Sequence, residues 1–135
     1  MSLRHIVVGA GSTMGGGAPV IADAVVLGEL VLLSGRAPVD PATLAVVDGG
    51  FEVQARTVLG DIDRVLAASG SARHLVGRVE CYLARAADFA AWNRLWSEHF
   101  TPPRPARTTV VAGFALPGIL IELQVTATID RSRPT

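Results

Sequence analysis

Lysine is absent from this chain: all twelve of its basic residues are arginine. Schiff-base chemistry on a lysine is therefore excluded. Twelve acidic residues balance the arginines, so the formal net charge is zero. That balance argues against broad electrostatic binding of nucleic acid. Cys81 is the only cysteine, so no disulfide can form within the chain, and a lone thiol fits a reducing cytoplasm. The N-terminal residues do not read as a secretory leader. No apolar run approaches the roughly 18 residues that span a bilayer. His5, His74 and His99 are scattered, without the spacing of metal ligands, so no metal site is expected.

What is present points to one folded domain. The chain has 135 residues, half of them hydrophobic and 18% charged, enough for a single core. It reads as one domain over 1–135, with a separate N-terminal strand and glycine-rich loop in 1–18. The apolar composition also suggests that some surface is buried against other subunits.

His5–Val8 reads as a strand and Gly9–Pro19 as a glycine-rich loop. Ala22–Leu27 and Glu29–Ser34 read as a hairpin turning at Gly28. Arg36–Gly50 is a loop. Phe51–Ser69 is a helix whose stripe is Phe51, Ala55, Val58, Leu59, Ile62, Val65 and Leu66, with Gly70 as its stop. Leu75–Leu83 is a strand with Val79, Cys81 and Leu83 on one face. Asp88 is placed to cap a second helix through Phe100, with Phe89, Trp92, Leu95, Trp96 and Phe100 as its stripe. Strands Arg107–Ala112 and Leu120–Ile129 follow. The order β-β-β-α-β-α-β-β predicts an α+β fold: a mixed sheet with both helices on one face. In the last strand Ile121, Leu123, Val125, Ala127 and Ile129 should meet the helices. The alternating set, with Glu122 and Gln124, suits a subunit interface.

Two charged residues stand in these half-apolar strands. Arg107 offers a rigid guanidinium fork that matches a carboxylate; the alternative is a structural ion pair. Glu122 can orient water or move a proton; the alternative is a partner for Arg107. Together they suggest a small pocket for an anionic substrate that is to be hydrated. Gly9–Gly17 imitates a dinucleotide-binding fingerprint, but that motif must open a helix, and Gly16-Gly17 and Pro19 follow instead. It reads as a flexible loop and a candidate lid. Cys81 reads as core packing, and Trp92 and Trp96 as helix core.

The ordered set Leu33-Ser34-Gly35, Val39-Asp40-Pro41, Gln54, Ser69-Gly70, Tyr82-Leu83, Asp88-Phe89, Asn93, Phe100, Pro105-Ala106-Arg107-Thr108, Leu116-Pro117 and Ile121-Glu122 resembles the RidA/YjgF family, also known as endoribonuclease L-PSP. The resemblance runs from about Pro19 to Ile129 and leaves 1–18 as a variable segment. It implies a chorismate-mutase-like fold and a homotrimer with sites in clefts between subunits. It implies hydrolysis of imines or enamines of amino acids, such as 2-iminobutanoate and 2-iminopropanoate, to 2-keto acids and ammonia, without metal or organic cofactor. It makes Arg107 the carboxylate clamp and Glu122 the residue that positions water. It places Ser34 and Gly35 at the cleft, the alternative being an ordinary strand exit; Thr109, on the face of Arg107, could hydrogen-bond substrate or water; and Asn93 either reaches the substrate site or ties down a loop.

Two positions depart from the family pattern. Ile21 stands where the family has a substrate-contacting tyrosine. Arg36 follows Ser34-Gly35 where glutamine is usual. Arg36 either adds positive charge at the cleft, favouring a larger or doubly acidic substrate, or points to solvent, the reading preferred here. Two other functions remain open from sequence: a non-catalytic trimer that binds small carboxylates or acts as a chaperone-like partner, and a ribonuclease, which the lack of lysine and of a basic run disfavours.

Overall fold

The computed structural model describes residues 2–9 and 11–132. Met1, Ala10 of the glycine-rich stretch, and residues 133–135 lie outside the described residues. The elements are β1 (Leu3–Ile6), β2 (Ala24–Leu27), β3 (Leu30–Leu33), α1 (Gly50–Ala68), β4 (Val76–Leu83), α2 (Phe89–His99), β5 (Ala106–Val111) and β6 (Ile121–Thr128). Their order matches the sequence reading, and the fold is α+β. They form one six-stranded mixed sheet, β1-β2-β3-β6-β4-β5. Only β4 and β5 run parallel, joined through α2; every other pairing is antiparallel. β6, the last strand, inserts between β3 and β4, in the middle of the sheet.

Alternation decides the faces. Val79, Cys81 and Leu83 of β4 and Ile121, Leu123 and Val125 of β6 are buried together with the apolar stripes of both helices. All seven stripe residues of α1 are buried. The helix stops as Gly70 enters the left-handed region at φ 78°. Ser71 N–H then donates to Leu66 O at 2.9 Å and Gly70 N–H to Ala67 O at 3.2 Å, closing a Schellman motif. Gln54 is also buried on α1: its Nε2 donates to Gly118 O at 2.9 Å, and its Oε1 accepts from Leu120 N–H at 2.8 Å. That pair fixes the loop that delivers β6.

Three sequence expectations need correction. β1 lies two residues earlier than His5–Val8. Its partner sets this: Ile6 pairs with Ala24, and Val8 N–H donates to the Asp23 carboxylate at 2.7 Å, away from the ladder. Asp88 does not cap α2. Its backbone is already helical, at φ −86° and ψ −1°, and Arg85 engages both carboxylate oxygens, at 2.9 and 3.1 Å. Phe89 is not core: it is 47% exposed, unlike the buried Trp92, Leu95, Trp96 and Phe100. It stands under a guanidinium instead, as described below.

Candidate active site

The ladder between β3 and β6 is uneven. Leu32 pairs with Thr126, and the next bridge is Arg36 with Leu123. One residue more is spent on the β3 side, and this bulge places Gly35 beside Glu122. A Cβ at Gly35 would stand 2.6 Å from Glu122 Oε2. Glycine is therefore needed here for close approach rather than for backbone freedom. Glu122 is half-buried. Among the described residues its carboxylate has no hydrogen-bond or ion-pair partner, and burial pushes the carboxyl up from its ordinary value. It faces a cavity of about 460 Å³, also lined by Ile21, Gly35 and Arg36.

Arg36 does not point to solvent. It is buried, its Nε donates to Asp61 Oδ2 at 2.7 Å, and its Nη1 donates to Asp23 Oδ1 at 2.9 Å. Arg64 Nη2 donates to the other Asp61 oxygen at 2.5 Å. Burial pushes the Asp61 carboxyl up, but hydrogen bonds and charge from Arg36 and then Arg64 outweigh it and hold it below its ordinary value. A buried guanidinium without partners would be very unfavourable, and two aspartates meet that need. Asp23 and Asp61 were missed from sequence. The available signal was an acid directly before the stripe residue Ile62, in a chain whose Arg36 had no assigned partner.

Arg107 belongs to a second constellation. On edge strand β5 its Nη2 donates to Asn93 Oδ1 at 2.7 Å. Its guanidinium carbon lies 5.1 Å from the Trp96 ring centroid and 5.8 Å from that of Phe89, within cation–π range. Among the described residues no carboxylate pairs with it, so the structural ion pair is not what holds it. Thr109 follows on the same face, its hydroxyl buried. Nearby Cys81 is buried and its thiol is pushed up to about 11 by desolvation, as suits a packing residue.

Strand register sets these two groups apart. Arg107 pairs with Val79, on the helix-covered face. Glu122 pairs with Tyr82, on the opposite face. β4 lies between their strands. Within one chain the sequence-predicted site thus divides: Ile21, Gly35, Arg36 and Glu122 line the cavity, whereas Arg107, Asn93 and Thr109 gather across the sheet. Ser34 joins neither, since its hydroxyl donates to Ala22 O at 2.7 Å and closes the strand junction.

No helix follows the glycine-rich stretch, so it does not have the dinucleotide-binding form. It roofs the cavity, with Ser12 and Met14 in the lining and Thr13 Oγ1 donating to Pro41 O at 3.3 Å. Among the described residues no three His, Cys, Asp or Glu side chains gather as metal ligands would. No described helix is long and apolar enough to cross a membrane.

The family model described as endoribonuclease L-PSP matches residues 19–129. Protein DfrA of Myxococcus xanthus is 37% identical over 100 residues, 74% of this chain and 76% of that protein. A Neisseria meningitidis protein solved as a member of the YjgF family is 30% identical, with a TM-score of 0.78 over 100% of this chain and 98% of that one. RidA from an Antarctic Psychrobacter is 28% identical, with a TM-score of 0.75 over 87% and 96% of the two chains.

Proposed function

The chain belongs to the RidA/YjgF family, that of endoribonuclease L-PSP, and on that premise we propose that it hydrolyses imines and enamines of amino acids to 2-keto acids and ammonia. One observation carries the reading: Glu122 is a half-buried carboxylate without a partner among the described residues, raised in pKa by burial and facing a cavity. A protonated imine carbon is already electrophilic, so the site needs an oriented water and a proton acceptor more than a strong nucleophile. Water adds to the carbon while Glu122 takes its proton. The carbinolamine nitrogen then recovers that proton from Glu122. The carbon–nitrogen bond breaks as the carbonyl forms, and the hydroxyl proton departs with ammonia as ammonium. No cofactor enters this balance.

The carboxylate of the substrate needs a cation, and Arg107 supplies it from a neighbouring subunit of a homotrimer. Three features support that assembly. Arg107 and Glu122 face opposite ways in one chain, β5 is an edge strand, and the open face that carries Glu122 also exposes Leu27, Leu30, Leu32 and Val110. Exposed apolar patches of this kind mark interfaces. A ring of three would bring the β5 edge of one copy to the Glu122 cavity of the next.

The test is deamination of imines made in situ by an amino-acid oxidase, with semicarbazide as competing trap. Wild type should speed imine loss and Glu122→Gln should not; equal rates with and without wild type, from a verified trimer, would overturn the reading. Ile21 in the tyrosine position favours one second reading, a trimer that binds small carboxylates without turnover. The family's endoribonuclease name finds little support in a cavity whose lining lacks histidine and lysine.

A further inference from the structure

The Glu122 cavity has a wall that the chemistry above does not use. Met14, Ile21, Val39, Leu44, Leu116 and Ile119 all line it. Two of them are held at a backbone expense. Met14 at φ 52° and Leu44 at φ 62° are the non-glycine residues in the left-handed region among the described residues, and such strain gathers where a side chain must be aimed. The loops that carry them are tied together by Thr13 and Pro41. Leu44 is further fixed by its N–H, which donates to Asp40 O at 2.7 Å.

The polar part of the same cavity is already committed. Arg36 is spent on Asp23 and Asp61, and Arg64 on Asp61. Both arginines of the lining are thus already ion-paired, Arg36 with Asp23 as well as Asp61, so a second substrate carboxylate would meet no uncommitted cation there and would face Glu122. The cavity, about 460 Å³, lies in the range that encloses ligands far larger than a three- or four-carbon acid.

We propose that this wall is a side-chain pocket, and that the site takes 2-imino acids with bulky apolar side chains, of the leucine kind, in preference to small or dicarboxylic ones. The proposal rests on the deaminase reading for its reaction, but not for its ligand preference. Arg36 acts as a positioning residue: by neutralising Asp23 and Asp61 it closes the polar end of the pocket rather than clamping substrate. Each methylene buried in such a pocket changes discrimination by about tenfold or more.

Two measurements on the assembled protein separate the layers. The first is calorimetric binding of the keto acids of leucine, alanine and glutamate. The second is turnover of the corresponding imines. The keto acid of leucine should bind at least tenfold more tightly than either other, and Leu116→Ser should reduce that ratio severalfold. If the preference appears without turnover, the pocket assignment stands and the deaminase reading falls. If the alanine or glutamate keto acid binds as tightly, the pocket assignment is overturned, whatever the turnover.

Discussion

Arg107 and Glu122 stand on opposite faces of one sheet, in strands separated by β4. Neither has a charged partner among the described residues. Two unpaired, oppositely charged groups in one chain, each in a prepared setting, are what the proposed assembly would bring together.

Removing the cation should weaken substrate binding. A charge-assisted hydrogen bond contributes about 1.5–3 kcal/mol, so Arg107→Ala should raise KM roughly tenfold to a hundredfold, with the proposed trimer unchanged from wild type by analytical ultracentrifugation. Arg107→Lys should restore little, because a point charge does not reproduce the fork. An unchanged KM in Arg107→Ala would remove the clamp from the account.

Gly35→Ala places a methyl 2.6 Å from Glu122 Oε2. The carboxylate is the end of a flexible side chain, so it can swing away at small expense to folding. Small misplacement of a reacting group is expensive to catalysis. The expected result is about a tenfold or greater fall in kcat with little change in Tm. A large fall in Tm with normal kcat would mean that Gly35 serves the fold alone.

The pH dependence follows from Glu122. It must be ionised to accept a proton, and burial raises its pKa. Rate should therefore fall as pH drops, with a midpoint above the ordinary carboxylate value. The stability effect has the opposite direction. With the folded pKa raised, the contribution is fully present below the unfolded pKa and is lost as pH rises through the folded pKa. Glu122→Gln should abolish this loss, which chemical denaturation at several pH values would measure.

Arg36→Ala should destabilise the fold by about 3–5 kcal/mol, the usual penalty for leaving buried charges unpaired. Asp23 loses the cation that pairs with it, and Asp61 loses one of two, keeping Arg64. Urea melts test this, and a loss below about 1 kcal/mol would mean that water already serves those carboxylates.

Much of this was legible in the sequence because periodicity is local. The α1 stripe and the alternation in β6 carry their own register, and both match the burial. The Asp88 cap failed because residue type alone cannot reveal that Arg85 competes for the carboxylate. Phe89 failed because helical spacing put it on the stripe, while a cation from β5, distant in sequence, gave it an exposed role. Arg36 illustrates the wider limit: its partners lie 13 and 25 residues away, and no local pattern joins a loop arginine to a strand-entry aspartate and a mid-helix aspartate. The division of the candidate site into two faces required β6 to insert between β3 and β4, which is topology rather than pattern.

The central claim, a site shared between subunits, is tested most directly by complementation. Arg107→Ala and Glu122→Gln chains, each strongly impaired alone when substrate is kept well below the wild-type KM, would be unfolded together, refolded at equal concentration and assayed there for keto-acid release. In a closed ring with head-to-tail interfaces, every mixed trimer regains one intact site, so activity should return to about a quarter of the wild-type rate. Mixed trimers confirmed by native mass spectrometry but as inactive as their parents would contradict the account and place the reaction within a single subunit.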